Sequence, residues 1–144
     1  NTIPWDTKAS GLYMICTLSK HEAEKQGYTD SLMLDHDGNI AEATGANIFF
    51  KDKNGEIHTP IPDSFLDGIT RRTVIEIAKS KNIKVHERKI SPTELSNFVG
   101  CFLTGTAAEV TPVSCIGENQ FKVCDTIIEL NESYQALVRK KKAA

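Results

Sequence analysis

The sequence predicts a single α+β domain because of its length and the spacing of its apolar residues. The chain has 144 residues, of which 40% are hydrophobic and 25% are charged. These values are typical of one globular domain with a sizeable core. Long segments with apolar residues at helical intervals and short strand-like segments both occur. No repeat, low-complexity tract or linker divides the chain, so one mixed unit is expected.

Three helices are predicted, over residues 11–26, 69–81 and about 125–141. Gly27 is expected to end the first of them. A further helix start is predicted at residues 91–94 (SPTE), which combine a Ser cap, a Pro in the first turn and a Glu three residues after the cap. The inward-facing residues are expected to be Leu12, Ile15, Cys16 and Ala23 in the first helix, Val74, Ile77 and Ala78 in the second, and Ile127, Leu130, Tyr134, Leu137 and Val138 in the third.

Strands are predicted wherever short apolar or alternating runs lie between turn residues. The dipeptide Asn54-Gly55 is typical of a tight turn, and it predicts a hairpin between residues 48–51 and 56–59. Residues 98–104 and 110–116 are apolar enough to be buried strands. The predicted strand segments are residues 31–35, 47–51, 56–59, 84–89, 98–104 and 110–116.

Charge and cysteine content exclude several classes of protein. Seventeen Lys and Arg residues against 19 Asp and Glu residues give a net charge of −2, which argues against a nucleic-acid binder or a membrane-surface protein. No apolar run approaches the roughly 20 residues of a membrane span. The four cysteines are widely spaced and form no C-x-x-C pair, so we expect core thiols in a reducing, cytoplasmic compartment. The histidines are scattered, and no metal site is expected.

Three segments combine small residues with groups that could carry chemistry. Residues 65–71 (FLDGITR) lead into a helix, and the amides of Ile69 and Thr70 at its start would form an anion site. Residues 104–109 (TGTAAE) follow an apolar strand and offer backbone N–H groups together with the hydroxyl of Thr106. Residues 40–47 (IAEATGAN) place the single carboxylate of Glu42 in a neutral stretch. Taken alone, the first two would be ordinary loops, and Glu42 would be a turn residue facing water.

In order along the chain, four motifs resemble the class IV pyridoxal-phosphate aminotransferases: residues 8–13 (KASGLY), 42–49 (EATGANIF), 66–71 (LDGITR) and 105–112 (GTAAEVTP). The last motif is most similar to that of the branched-chain amino-acid aminotransferases. The resemblance runs from about Thr7 to the C-terminal helix. It implies the α+β large domain of the fold-type IV, D-amino-acid aminotransferase-like enzymes, with mixed β-sheets forming a pseudo-barrel flanked by helices, and pyridoxal 5'-phosphate (PLP) as cofactor.

The resemblance also implies roles for the cofactor-binding residues. Lys8 matches the lysine that forms a Schiff base with PLP and shuttles the substrate proton. Tyr13 matches the tyrosine that hydrogen-bonds the cofactor's phenolic oxygen, and Glu42 matches the carboxylate that pairs with its pyridine nitrogen. The motifs around these positions add the phosphate loop, which comprises Leu66, Gly68, the amides of Ile69 and Thr70, and the hydroxyls of Thr70 and Thr106.

Other positions of the same motifs are expected to bind substrate or to support the fold. The amides of Thr106 and Ala107 match groups that help to hold the substrate α-carboxylate. Asn47 is expected to orient the loop after Glu42. Arg71, Arg72 and Glu109 are expected to stabilise the fold rather than to act in catalysis.

Two departures from the family pattern affect the interpretation. Many branched-chain enzymes carry a second Glu where this chain has Ala46. Family members also have a small N-terminal domain ahead of the lysine segment, and residues 1–144 are expected to correspond to the large, C-terminal domain alone. That domain alone could be inactive, because the small domain supplies an arginine to the cofactor phosphate and part of the substrate pocket.

The implied reaction is the ping-pong transfer of an amino group from leucine, isoleucine or valine to 2-oxoglutarate. The expected partners are therefore small amino acids and 2-oxo acids, with neither nucleic acid nor membrane. The family resemblance also implies a homo-oligomer, a dimer or larger. The alternatives are a D-amino-acid aminotransferase or an aminodeoxychorismate lyase of the same fold, or a catalytically incomplete truncated domain.

Overall fold

The computed structural model describes residues 4–139 as a mixed α+β unit. A 3₁₀ turn, Ser10–Tyr13, leads into the first helix, and a 3₁₀ segment, Pro92–Asn97, precedes the longest strand. No helix in this part of the chain is both long enough and apolar enough to cross a bilayer. The helices are α1 (Met14–Lys25), α2 (Ile69–Ser80) and α3 (Asp125–Val138), and the strands are β1 (Leu32–Leu34), β2 (Ile40–Ala43), β3 (Asn47–Asp52), β4 (Ile57–Thr59), β5 (Val85–Glu87), β6 (Phe98–Gly105), β7 (Glu109–Pro112), β8 (Cys115–Ile116) and β9 (Asn119–Gln120).

A five-stranded mixed sheet with the order β5-β4-β3-β6-β7 forms the centre of the fold. Strands β4 and β5 are parallel, and the other neighbours are antiparallel. The predicted hairpin is confirmed: β3 and β4 pair across a turn in which Gly55 has a φ of +86°. That left-handed conformation favours glycine. Strands β1 and β2, and strands β8 and β9, form two further antiparallel pairs.

Strand β3 is buried on both faces of the sheet. Its first four residues, 47–50, are all buried, and consecutive side chains of a strand point to opposite faces. Phe49 packs under α2 and α3, and its ring stacks on that of Phe102 with centroids 4.9 Å apart. Phe50 faces the opposite core and stacks on Phe98 at 4.8 Å. Burying each such ring contributes about 1.5–3 kcal/mol. The sheet is therefore covered on both sides.

The two later helices and the predicted cap are confirmed, but Leu137 and Val138, expected to face inward, are 49% and 50% exposed. Helix α2 buries Val74 and Ala78, and α3 buries Leu130 beside them. The predicted end of the third helix, at residues 140–141, lies outside the described residues. Ser91 and Glu94 form a reciprocal capping box, although the segment that they begin is a 3₁₀ helix of six residues, since β6 starts at Phe98.

Three further expectations about the elements were wrong. Helix α1 was expected to direct Ile15 inward, but it has no buried residue and leaves that side chain 62% exposed, because no described element covers this side. Residues 110–116 form two strands, β7 and β8, instead of one. Residues 40–43 form a strand, β2, which pairs with β1. The segment contains two alanines and a glutamate, which are uncommon in strands, so its pairing with β1 is what defines it.

Candidate functional site

A cleft of about 710 Å³ lies at the end of the central sheet where four segments meet. Asn47, the first residue of β3, pairs with Thr104 near the end of β6, and α2 begins beside them. The volume is in the range of small-molecule sites. All nine site residues expected from the sequence line this cleft, namely Lys8, Tyr13, Glu42, Leu66, Gly68, Ile69, Thr70, Thr106 and Ala107.

A second, larger groove of about 870 Å³ lies between the C-terminal half of α1 and the β7–β8 segment. None of the nine residues lines it. We assign the site to the smaller cleft, because it brings an amine, a carboxylate with a shifted pKa and a helix N-terminus together.

Glu42 lies on β2, opposite Met33 of β1, and is half-buried. The interpretation of its segment alone as a turn facing water was therefore wrong. Burial raises the pKa of this carboxyl to about 7, and the positive charge of Lys8 opposes the shift. A group that titrates near neutral pH in a cleft is typical of binding and catalytic sites.

The side chain of Asn47 connects Glu42 to the loop that precedes α2. Its Nδ2 donates to Glu42 Oε2 at 3.2 Å and to the carbonyl oxygen of Leu66 at 2.9 Å. Its Oδ1 accepts from the backbone N–H of Gly68 at 3.1 Å. Asn47 is buried, so these bonds form away from bulk water. Asn47 was expected to orient the loop after Glu42, but its side chain instead contacts Glu42 itself and the loop before α2.

The N-terminus of α2 faces the cleft with unpaired backbone donors. Gly68 is the N-cap, no side chain caps the helix, and its first turn holds no acidic residue. The amides of Ile69 and Thr70 and the helix dipole therefore make this end attractive to an anion. The Thr70 hydroxyl lies 3.4 Å from the hydroxyl of Tyr134 on α3.

The β6–β7 turn forms the opposite wall and is fixed by α3. Thr106 and Ala107 are exposed in it. Glu109 closes the turn with a φ of +51°, and its carboxylate accepts hydrogen bonds from Gln135 and, at 2.9 Å, from Arg139. These partners agree with the expected structural role of Glu109.

Lys8 and Tyr13 approach the cleft from the segment that leads into α1. Lys8 is exposed and lies two residues before the 3₁₀ turn, which Tyr13 ends. Trp5 and Asp6 also line the cleft, although the sequence motifs did not include them, and their position two or three residues before Lys8 is the signal that could have identified them. Thr104, the first residue of the 104–109 segment, lines the cleft as well, although it was not expected as a site residue.

The structure also gathers three possible metal ligands away from the cleft, although no metal site was expected. His58 and His86 are register partners on β4 and β5, their rings stack at 4.7 Å, and Glu56 Oε2 lies 2.6 Å from His86 Nε2. Arg88 Nε donates to His58 Nδ1, and Lys84 pairs with Glu56, so the protein's own cations already satisfy these groups.

Comparison with known proteins identifies the family of this chain. Residues 4–116 match the family described as amino-transferase class IV. The chain belongs to this family. The "Probable branched-chain-amino-acid aminotransferase" of Rickettsia bellii (strain RML369-C) is 42% identical over 146 aligned residues, covering 96% of this chain and 49% of the relative. The chain thus spans about half the length of the curated relatives that it matches first.

Solved structures of class IV relatives share the fold. The branched-chain amino acid aminotransferase of T.th., complexed with 4-methylvaleric acid, superposes with a TM-score of 0.92 at 35% identity, over 99% of this chain and 49% of that chain. The same enzyme complexed with N-(5'-phosphopyridoxyl)-L-glutamate gives 0.91 at 35% identity, over 99% of this chain and 49% of that chain. These matches confirm the predicted α+β fold of the class.

Proposed function

We propose that this chain forms the PLP-binding large domain of a branched-chain amino-acid aminotransferase, which transfers the amino group of leucine, isoleucine or valine to 2-oxoglutarate. The observation that carries the proposal is a single cleft that contains Lys8, the Glu42 carboxylate and the free N-terminus of α2. The relatives described above support the choice of reaction within the family.

The groups in the cleft fit the functional groups of PLP. The cofactor has an aldehyde, a ring nitrogen, a phenolic oxygen and a phosphate. The amine of Lys8, the carboxylate of Glu42 and the phenol of Tyr13 complement the first three of these. The amides of Ile69 and Thr70 complement the phosphate, because they have no side-chain cap. When bound, PLP supplies an electron sink that stabilises negative charge at the substrate Cα.

The roles of Glu42 and Lys8 follow from their chemistry. The carboxylate of Glu42 would accept a hydrogen bond from the protonated ring nitrogen, and the positive ring would lower the Glu42 pKa from its raised value of about 7 and so favour the ionised form. Lys8 is the amine that would hold PLP through its aldehyde, with loss of water, until the amino group of a substrate takes its place. The freed Lys8 amine would then carry the proton from the substrate Cα to the former aldehyde carbon.

The substrate is placed by the β6–β7 turn. Thr106 and Ala107 are exposed and line the cleft, where their amides would bind the substrate α-carboxylate and the Thr106 hydroxyl would donate to the cofactor phosphate. Two ligands of the T.th. relative support the substrate pair. 4-Methylvaleric acid has the carbon skeleton of leucine without its amino group, and the phosphopyridoxyl glutamate contains the amino acid that corresponds to 2-oxoglutarate.

We further propose a homo-oligomer and a cytoplasmic location. Met14, Ile15 and Leu18 on α1 are 71%, 62% and 65% exposed, which is unusual for three large apolar residues on one short helix. A second copy of the chain is the occupant that we propose for this surface. The location rests on the four free cysteines, of which Cys101 is buried in the core with a raised pKa.

The test is to locate the lysine that reacts with PLP. The full-length protein and its Lys8→Ala variant are mixed with PLP, reduced with borohydride and digested, and the labelled peptide is identified. We expect one dominant adduct at Lys8 that the variant lacks, whereas Lys20→Ala, an exposed lysine outside the cleft, retains it. Labels spread over surface lysines in both proteins would refute the assignment.

Substrate assays then separate the remaining alternatives. The full-length protein is assayed with leucine, isoleucine and valine, with D-alanine, and with aminodeoxychorismate. Activity with the first group alone supports the proposed reaction. Activity with D-alanine or aminodeoxychorismate would instead indicate the other enzymes of this fold. A specific adduct at Lys8 without any turnover would indicate a catalytically incomplete domain.

A further inference from the structure

The amide of Asn47 is oriented in one way only. The carbonyl of Leu66 can only accept and the N–H of Gly68 can only donate, so Nδ2 must face the first and Oδ1 the second. The remaining donor direction of Nδ2 then meets Glu42 Oε2 at 3.2 Å. One side chain therefore sets the carboxylate of β2 relative to the loop before α2.

Gly68 is needed because of this contact rather than because of its backbone conformation. Its φ of −63° and ψ of 144° suit any residue. A Cβ at this position, however, would clash with Asn47 Oδ1. The loop thus approaches the amide more closely than a side chain permits, and the N-cap of α2 is held against Asn47.

We propose that Asn47 is a positioning residue that sets the spacing between the two ends of the cofactor site. This inference rests on the proposed function. Glu42 meets the ring nitrogen at one end, and the amides of α2 meet the phosphate at the other. Asn47 bonds to the Glu42 carboxylate and to Gly68, the N-cap of α2. The protein therefore recognises the ring and the phosphate together. The ring nitrogen binds more tightly to Glu42 when the phosphate is held by the amides of α2, and the reverse also holds.

The test compares PLP with pyridoxal, which lacks the phosphate. Dissociation constants for both are measured on the full-length apoprotein by absorbance titration, for wild type and Asn47→Ala. We expect the ratio of the pyridoxal constant to the PLP constant to fall by about tenfold or more in the variant. If Asn47 merely supported the fold, its substitution would raise the dissociation constants of both ligands by the same factor. The control is Thr59→Val, which removes a buried hydrogen bond to the Ile48 carbonyl in the same sheet and should leave the ratio unchanged.

Gly68→Ala provides a second, independent variant if Asn47→Ala does not fold. It should lower the same ratio, because its methyl group displaces the Asn47 amide. The double variant Asn47→Ala, Gly68→Ala should lower the ratio by less than the product of the two single fold-changes, because the new methyl group no longer meets the Asn47 amide. Asn47→Asp keeps the acceptor for Gly68 N–H but places a second carboxylate beside Glu42, which should move the pH dependence of PLP binding to higher pH.

The outcomes distinguish this inference from the proposed function. If wild type forms no adduct with PLP at Lys8, both fail. If wild type binds PLP at Lys8 and folded Asn47→Ala or Gly68→Ala keeps the wild-type ratio, the positioning role is overturned while the proposed function stands. A reduced ratio together with non-additive single effects supports the role.

Discussion

The guanidinium of Arg71 donates a 2.8 Å hydrogen bond to the carboxylate of Glu87 and so joins the first turn of α2 to β5. Arg71 is 1% exposed, and it also donates to Asp67 at 2.9 Å and to the carbonyl of Pro60 at 2.9 Å. Because α2 begins at the cleft, this buried charge anchors one wall of the site.

Removing both carboxylates should destabilise the protein far more than removing either. Glu87→Gln should cost about 1 kcal/mol, because Asp67 still pairs with Arg71. The double variant Asp67→Asn, Glu87→Gln leaves a buried guanidinium without a counter-charge and should cost about 3–5 kcal/mol. Urea unfolding measures both. The exposed pair of Glu22 and Lys25 is the control, and Glu22→Gln should change stability by less than about 1 kcal/mol. Equal effects of the single and double variants would contradict the anchoring role.

Glu42→Gln should stabilise the apoprotein increasingly as the pH rises from about 4.5 to about 7, and the gain should then level off. The native carboxyl keeps its proton up to a pKa of about 7, against an ordinary value of 4.5, so the native state binds more protons between these values. Stability is therefore lost as pH rises through this range. The gain from the variant should be near zero at about pH 4.5 and reach at most about 3 kcal/mol at about pH 8. Urea unfolding across that range tests this, and a gain independent of pH would contradict it.

His58 should make stability sensitive to mild acid. Burial is the largest cause of its lowered pKa, followed by the opposing hydrogen bond to Asp52 and the nearby charges of Arg88 and His86. Since the unfolded ring binds a proton at higher pH than the native ring, stability falls as pH drops below 6.5. His58→Gln should flatten this decline in urea unfolding between pH 7.5 and 5. His21→Gln, at an exposed position, should retain the wild-type decline.

The apolar side of α1 should be needed for self-association but not for folding. The double variant Ile15→Glu, Leu18→Glu removes none of the buried core, because α1 has no buried residue. We expect sedimentation velocity to show a shift from oligomer to monomer, with an unchanged circular dichroism spectrum. Val123→Glu, at another exposed apolar position, should leave the oligomer intact. An unchanged sedimentation coefficient in the double variant would refute a second copy on α1.

Much of the site could be predicted because its motifs are local. The start of α2 follows from the small residue and apolar spacing around Gly68, and the β6–β7 turn follows from its run of small residues. The environment of Glu42 could not be predicted from its own segment. Its burial depends on pairing with β1, and its partner Asn47 is directed by a loop that lies 19 to 21 residues further along the chain.

The exposure of α1 also could not be predicted from the sequence. Apolar spacing predicts that a helix has an apolar side, but not whether an element of the same chain covers it.

By itself, the sequence determined the α+β class, the two later helices, the hairpin at Asn54-Gly55 and the motifs of the class IV family. Only the tertiary structure decided that these motifs meet in one cleft, that Glu42 is buried enough to titrate near neutral pH and that Asn47 links it to Gly68. The physical reason is range: turns, caps and periodicity are properties of adjacent residues, whereas desolvation and side-chain hydrogen bonds depend on which distant segments pack together.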